Sequence, residues 1–134
     1  MMERTQREYG GFLPLELNKG KEYYQYANTQ MQRFNCAKAA VDNVLGYIDT
    51  YKIYVPYYLC PNVCKEIEHH NIEVCYYYIN NNLLPELLPD EQGICIYLVN
   101  YFGVMDKAIA EYARNFEKAW VIIDNCINKR LIDF

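Results

Sequence analysis

The sequence predicts an α/β fold of three layers, α/β/α, in which helices cover both faces of a mostly parallel sheet. Apolar runs of strand length occur at residues 52–55, 94–99 and 120–123, and helical amphipathic segments occur between them. The middle run is apolar throughout, which is typical of a parallel strand covered on both faces. Each run stops at a polar or conformationally special residue, so parallel strands would bring these residues to one edge of the sheet.

Length and charge limit what the chain can be. Its 134 residues predict a single domain, residues 1–134, which can bury about two thirds of its unfolded surface. The formal net charge is −4 and the basic residues are scattered, which argues against a nucleic-acid surface and a basic membrane-binding patch. The N-terminus is charged and no apolar run reaches the ~20 residues of a membrane span, so we expect a cytoplasmic protein without a membrane partner.

Cysteine and histidine positions do not predict a metal site. The six cysteines are expected to be reduced in the cytoplasm, and they form no paired Cys-x-x-Cys motifs at zinc spacing. Cys60 and Cys64 fit one helix face, but no third ligand stands at a suitable spacing. His69 and His70 diverge by about 100° on a helix, which favours a solvated helix end.

The first part of the chain predicts an extended segment, a short strand and a helix. Residues 10–17 form a glycine turn that runs into an extended apolar segment. Residues 30–34 fit a short strand, after which Asn35 is placed to cap a helix. The apolar residues of that helix recur at helical spacing. They are Ala37, Ala40, Val41, Val44, Leu45 and Ile48.

The remaining elements alternate between strands and helices. After the strand at residues 52–55, Pro61 suits the first turn of a helix that ends near Asn71. Residues 72–79 have strand composition and lead into a long irregular connection rich in asparagine and proline. Asp106 is placed to cap a third helix, whose apolar stripe precedes the last strand.

Polar and aromatic residues follow the apolar runs at the expected edge of the sheet. Tyr57 and Tyr58 follow the first run, Asn100 and Tyr101 follow the second, and Asp124 ends the third. Because ligands of open α/β sheets bind outside the carboxyl ends of the strands, we expect these residues to lie around one site. For Asp124, an active-site carboxylate and a turn former remain equal alternatives.

Phosphate-binding motifs are absent from the sequence except for one helix start. There is no nucleophile elbow and no glycine-rich loop of the dinucleotide or P-loop type. The helix that begins near Cys36 is a candidate anion site, because its free N–H groups and its dipole favour a negative charge.

Several segments resemble the motifs of one family. Residues 10–17 look like an opening Gly-Gly-aromatic-x-x-Leu-Glu-Leu, and residues 35–41 look like an Asn-Ser-Gly-Arg-x-Ala-Leu segment. Residues 53–60 are similar to a strand and loop that carry a stacking aromatic ring. Residues 99–103 are similar to a Val-His-x-x-Gly loop, and residues 121–124 to a strand that ends in aspartate. In this order the segments resemble the DegT/DnrJ/StrS family of pyridoxal-phosphate-dependent aminotransferases, of fold type I.

The resemblance implies a site for pyridoxal phosphate. The cofactor phosphate would meet the backbone of Ala37 and Lys38, and the pyridine ring would stack on Tyr58, with Tyr57 as the second choice. Asp124 would pair with the protonated pyridine nitrogen, which keeps the ring an electron sink. The implied cofactor-binding residues are Ala37, Lys38, Tyr58, Asn100 and Asp124.

The chain also departs from the family pattern. Cys36 and Ala37 replace the family's serine and glycine, and the match ends after Asp124. The resemblance covers only the N-terminal part of the large domain and lacks the lysine that holds the cofactor as an imine, so it implies no catalytic residue. We therefore expect a truncated or degenerate aminotransferase-like protein, inactive alone, whose complete relatives transfer an amino group from an amino acid, often to a keto-sugar.

Two further expectations concern partners and the alternative function. A sheet that lacks some of the family's strands would expose an edge or an apolar face, which favours a homodimer or other self-association. The alternative function is a non-catalytic α/β interaction module, which predicts no affinity for the cofactor. The fifteen tyrosines fit half-buried strand positions, with a stacking or partner surface as the alternative.

Overall fold

The computed structural model describes residues 32–125, and the residues from Arg33 onward belong to one compact unit. The predicted segment at residues 10–17 lies outside the described residues. Three α-helices, four strands and one 3₁₀ turn follow in the described part. They are α1 (Ala37–Tyr47), β1 (Lys52–Pro56), α2 (Pro61–Glu68), β2 (Glu73–Tyr77), β3 (Ile94–Val99), the 3₁₀ turn (Tyr101–Gly103), α3 (Asp106–Ala113) and β4 (Trp120–Asp124).

The four strands form one sheet in which every pairing is parallel, in the order β2-β1-β3-β4. This confirms the predicted α/β class and the parallel sheet. The chain runs outward from β1 to β2, returns past β1 to β3 and continues outward to β4. The order therefore reverses between β1 and β3, and the carboxyl ends of these two strands flank the kind of crevice in which open α/β sheets bind ligands.

Strand β3 supplies both parts of the core, because all six of its residues are buried. Cys95, Tyr97 and Val99 belong to a cluster that includes Val41 and Leu45 of α1 and Val63 and Ile67 of α2. Ile94, Ile96 and Leu98 belong to a second cluster that includes Ile109 of α3 and Met105, the residue before that helix. Successive residues of a strand point to opposite faces, so the two clusters lie on the two sides of β3. The nearly continuous apolar sequence of this strand thus has its physical reason.

The predicted helix caps are wrong by one residue at α1 and α3. The N-cap of α1 is Cys36, which has an extended backbone and no side-chain cap hydrogen bond, so Asn35 lies outside the helix. Met105 is the N-cap of α3, and Asp106 is the first helical residue. A carboxylate in this first turn still lies favourably in the field of the helix dipole.

Two predicted element bounds also differ from the structure. Helix α2 ends at Glu68, because the chain turns through Asn71, whose φ of 53° is left-handed and cannot continue a helix. Residues 32–34, the described part of the predicted first strand, have no strand structure. Among the described residues, no helix is long and apolar enough to cross a membrane.

Asp90 joins the connection before β3 to the connection before β4. Its carboxylate accepts the backbone N–H groups of Glu117, Lys118 and Ala119 at 3.1, 2.9 and 2.9 Å. These hydrogen bonds, that of Ala119 first, lower the pKa of Asp90 from its ordinary value. Three consecutive N–H groups aimed at one carboxylate form an anion-binding concavity, which here is filled by the chain itself.

We expect Asp90→Asn to lower the thermal unfolding midpoint at neutral pH. A carboxyl whose pKa is lowered by folding stabilises the folded state above its unfolded pKa, near 3.9, and loses that contribution as the pH falls through its folded value. The gap between parent and variant should therefore close below pH 4. Thermal melts from pH 7 to pH 2.5 measure it, with the exposed neighbour Glu91→Gln as the control. A gap that stayed constant with pH would contradict this role for the charge.

Candidate functional site

A cleft of about 350 Å³ opens at the carboxyl ends of β1, β3 and β4. This volume is within the range of roughly 300–1,000 Å³ typical of small-molecule sites. The cleft lies at the edge of the sheet where the sequence predicts a site. Its lining residues are Tyr58, Leu59, Cys60, Pro61, Val99, Tyr101, Phe102 and Asp124.

Tyr58 lines the cleft from the loop after β1. Its residue surface is 70% exposed, while Tyr101 is 6% exposed. The Tyr101 hydroxyl donates a hydrogen bond to the backbone oxygen of Tyr58 at 2.7 Å, and the two ring centroids lie 5.7 Å apart with the planes tilted by 33°. A buried ring therefore supports the exposed one, and the loop after β1 is tied to the 3₁₀ turn after β3.

Asp124 faces the same cleft from the end of β4, and two contacts fix its position. The hydroxyl of Tyr97, a fully buried residue, donates to Oδ2 of Asp124 at 2.7 Å. The backbone oxygen of Asp124 accepts the N–H of Asn100 at 2.8 Å. Tyr77 in turn donates from its hydroxyl to the backbone oxygen of Tyr97 at 2.7 Å, and burial raises the pKa of Tyr77 far above its ordinary value. The carboxylate is thus held by an ordered interior.

Asn100 takes a different position from the other predicted residues. Its side chain is fully buried, and its amide group donates to Oδ1 of Asp106 at 2.7 Å and to Oδ1 of Asn125 at 2.8 Å. Its side-chain oxygen accepts the N–H of Met105 at 3.0 Å. The amide therefore connects the end of β3 to the start of α3 and to the residue after Asp124, and it is not among the groups that line the cleft.

Ala37 and Lys38 also stand apart from the lining residues. The ammonium group of Lys38 lies 2.8 Å from Oε2 of Glu66, which is 9% exposed. This hydrogen bond, together with the charge of Glu66, raises the pKa of Lys38. The pair joins α1 to α2, so the lysine at the predicted phosphate site already has an anionic partner within the chain.

Glu66 also belongs to a group of three residues whose side chains could bind a metal ion. One ligand atom each of Asp42, Glu66 and His70 lies within 4.8 Å of the others. Nε2 of His70 lies 2.9 Å from Oδ1 of Asp42, and Lys38 supplies the positive charge beside Glu66. Lys38 pairs with Glu66 and His70 pairs with Asp42. These contacts add to the apolar packing between α1 and α2.

Tyr57 belongs to a separate surface cluster with Tyr76 and Tyr78, which we call the tyrosine cluster. The Tyr57 ring stacks on those of Tyr76 and Tyr78, with centroids 5.1 and 4.5 Å apart. All three residues are exposed. Tyr76 and Tyr78 are two positions apart, so an extended chain brings them to one side, a signal present in the sequence.

Phe102 lines the cleft but was not predicted to be a site residue. Its φ of 60° and ψ of 11° are left-handed, a conformation that costs a bulky residue about 1–3 kcal/mol. The ring is nonetheless 58% exposed and lies near that of Tyr101, with centroids 6.4 Å apart. The strained backbone turns an aromatic side chain toward the mouth of the cleft.

The lining residues suit only part of pyridoxal phosphate. Tyr58 and Asp124 fit two of the expected contacts. The ring of Tyr58 would stack on the pyridine ring, and the carboxylate of Asp124 would lie at the pyridine nitrogen. The predicted phosphate residues Ala37 and Lys38 do not line the cleft. Among the described residues that line the cleft, Asp124 has the only charged side chain, so none of them offers a phosphate group a cationic side chain.

Comparison of the chain with protein-family models, curated proteins and solved structures gave no match. The resemblance to the aminotransferase family is therefore still a prediction from the sequence motifs. The position of the cleft at the carboxyl ends of the parallel strands is seen in the structure and does not depend on these comparisons.

We expect Asn100→Ala to lower the free energy of unfolding by about 2–4 kcal/mol, because it removes the three hydrogen bonds of a fully buried side chain and leaves Met105 N–H and Asp106 without this partner. Urea unfolding followed by circular dichroism measures the change. Asn81→Ala, at an exposed position, is the control and should change stability by less than about 0.5 kcal/mol. Parent-like stability of the Asn100 variant would contradict a structural role for its amide.

Phe102→Asn should not lower the free energy of unfolding by more than about 0.5 kcal/mol, even though it removes a large apolar side chain. Asparagine adopts the left-handed region more readily than phenylalanine, so relief of strain offsets the lost packing. Val104→Asn, nearby, exposed and with negative φ, is the control without strain relief. A clearly larger loss at Phe102 than at Val104 would show that the ring stabilises the fold.

Proposed function

We propose that this chain is the N-terminal part of the large domain of a pyridoxal-phosphate-dependent aminotransferase-like protein, truncated or degenerate relative to complete family members. One observation carries the proposal: Tyr58 and Asp124, more than sixty residues apart in the sequence, line the same cleft. The family resemblance requires this pair, and the parallel sheet order supplies the reason for their approach. The finer architecture, three layers and fold type I, is part of the proposal and is supported by the core clusters on the two sides of β3.

The bound cofactor would supply an electron sink for the carbanion formed at the amino-acid substrate. In this chain, Asp124 would keep the ring nitrogen protonated, and the hydrogen bond from Tyr97 would hold Oδ2 of that carboxylate in place. Tyr58 would cover one face of the ring. The absence of Ala37 and Lys38 from the lining argues for weak, non-covalent binding at most.

The proposal includes an inactive chain, because transamination needs a lysine that forms an imine with the cofactor and then moves the proton. In the part of the chain that the structure describes, no lysine lines the cleft. Lys38 is paired with Glu66, and Lys52 with Glu73 at 3.1 Å. The described residues that line the cleft would therefore bind and orient the ring, but they include no proton-transfer amine.

A cytoplasmic location and self-association complete the proposal. Self-association is supported by β4, an edge strand with the sequence Trp-Val-Ile-Ile-Asp, in which Trp120 and Ile123 are 50% and 39% exposed. An exposed apolar edge strand is a template for pairing with another chain.

The second candidate function is a non-catalytic interaction module, which the tyrosine cluster favours. Three stacked and exposed rings form an amphipathic surface of the kind that protein interfaces use. The two candidates differ in one measurable property, because the module predicts no affinity for pyridoxal phosphate and the degenerate enzyme predicts weak affinity at Asp124.

We expect pyridoxal phosphate to bind this chain weakly and without a specific imine. Borohydride reduction of a cofactor-soaked sample, followed by intact mass and peptide mapping, should give adducts scattered over exposed lysines. The weak binding, followed by cofactor absorbance, should be lost in Asp124→Ala and kept in the control Glu91→Gln. One specific adduct on a single lysine, together with amino transfer, would contradict the inactive chain, and undetectable binding would favour the interaction module.

A further inference from the structure

Among the described residues that line the cleft, one side chain carries a negative charge and none carries a positive charge. Asp124 is the only charged side chain among its lining residues. Lys38, the cationic residue that the sequence predicts for the site, is not among the lining residues and is paired with Glu66. The start of α2, at Cys60 and Pro61, also lines the cleft and offers a partial positive charge. Among the described side chains, however, an anionic ligand would meet only a carboxylate, whereas a cationic ligand would meet its counter-ion.

Aromatic rings make up the other distinctive part of the lining. Tyr58, Tyr101 and Phe102 line the cleft together with Asp124. The ring centroid of Tyr101 lies 5.7 Å from that of Tyr58 and 6.4 Å from that of Phe102, so the three rings form one continuous group. Aromatic faces attract cations through their quadrupole, and the attraction is greatest for cations that shed water easily, such as quaternary ammonium groups.

The groups that would contact such a ligand are held before it binds. Tyr97 donates its hydroxyl hydrogen to Oδ2 of Asp124 at 2.7 Å, and the Tyr101 hydroxyl is bonded to the backbone of Tyr58 at 2.7 Å. Phe102 belongs to the 3₁₀ turn after β3, and its ring centroid lies 6.4 Å from that of the buried Tyr101. Groups fixed in this way lose little conformational freedom on binding, which favours affinity.

From the lining, the charge and this preorganisation we propose that the cleft binds a small organic cation of diffuse charge, with a quaternary ammonium head of the choline type, between the three aromatic rings and Asp124. The ring of Tyr58, which is largely exposed, forms the open wall through which the ligand enters. The site needs no phosphate contact. The inference goes beyond the proposed function and does not rest on it, because it follows from the lining residues alone.

The test is a titration of the full chain with choline, followed by amide and side-chain NMR shifts. Its neutral isostere, 3,3-dimethylbutan-1-ol, has the same shape without the charge. We expect choline to shift the NMR signals of the lining residues. The isostere should bind at least about tenfold more weakly, because it lacks the charge that the aromatic rings and Asp124 attract. Inorganic phosphate should leave the same residues unshifted.

Paired variants assign the effect to the cleft. Asp124→Asn keeps an oxygen acceptor for Tyr97 and removes only the charge, and it should weaken choline binding about tenfold, with Glu91→Gln as the charge-matched control. Tyr58→Ala should weaken binding, while Tyr78→Ala, which removes an equally exposed tyrosine outside the lining, should not. Circular dichroism of each variant shows whether the fold is kept.

Three results would overturn the inference, and one further result would support it. Equal affinity for choline and its isostere would show a merely apolar cleft, and unchanged affinity in Asp124→Asn would place the cation elsewhere. Binding of pyridoxal phosphate at these residues without choline binding would overturn the cation site and leave the proposed function standing. Choline binding without pyridoxal phosphate binding would support the cation site and count against the cofactor.

Discussion

Burial of β3 on both faces is the constraint on which the rest of the structure depends. A strand in the middle of a parallel sheet has no face at water, so every one of its six side chains must meet a helix or a loop. Each fully buried Ile or Leu contributes about 1.5–3 kcal/mol relative to an exposed one. The two sides of this strand gather α1 and α2 into one cluster and α3 into the other. Because β3 is fixed between these clusters, the position at which the chain leaves its carboxyl end is fixed as well.

The site is a consequence of how that strand ends. At the carboxyl end of β3, the side-chain amide of Asn100 donates hydrogen bonds to Asp106 at the start of α3 and to Asn125, the residue after β4. Tyr97, within the strand, donates a hydrogen bond from its hydroxyl to Asp124. Both contacts place the end of β4 relative to β3. The polar atoms of a buried strand end must find partners inside the protein, and here the same bonds orient the carboxylate that faces the cleft.

The fold was largely predictable because the signals that specify it are local. Apolar runs predicted β1, β3 and β4 to within one residue, and the spacing of Val41 and Leu45 predicted the buried face of α1. The approach of Tyr58 to Asp124 was predictable as well, since parallel strands share one edge. Contacts between distant side chains were not. Nothing in the local sequence indicates that Lys38 pairs with Glu66. The left-handed backbone of Phe102 is disfavoured for a phenylalanine, so no sequence pattern predicts it.

Asp124 has a physical role that is independent of which ligand the chain binds. A carboxylate at a strand end, oriented by a buried hydroxyl and bordered by aromatic rings, stabilises positive charge whether that charge belongs to a protonated ring or to an ammonium group. Selectivity between a protonated pyridine ring and an ammonium group must come from the other residues around Asp124. A phosphate cradle would favour the cofactor, and its absence from the lining removes that preference while leaving the attraction for a cation intact. Tyr97 and Asn100, which hydrogen-bond to Asp124, are themselves fully buried, so the core fixes the position of this carboxylate whichever ligand is tested.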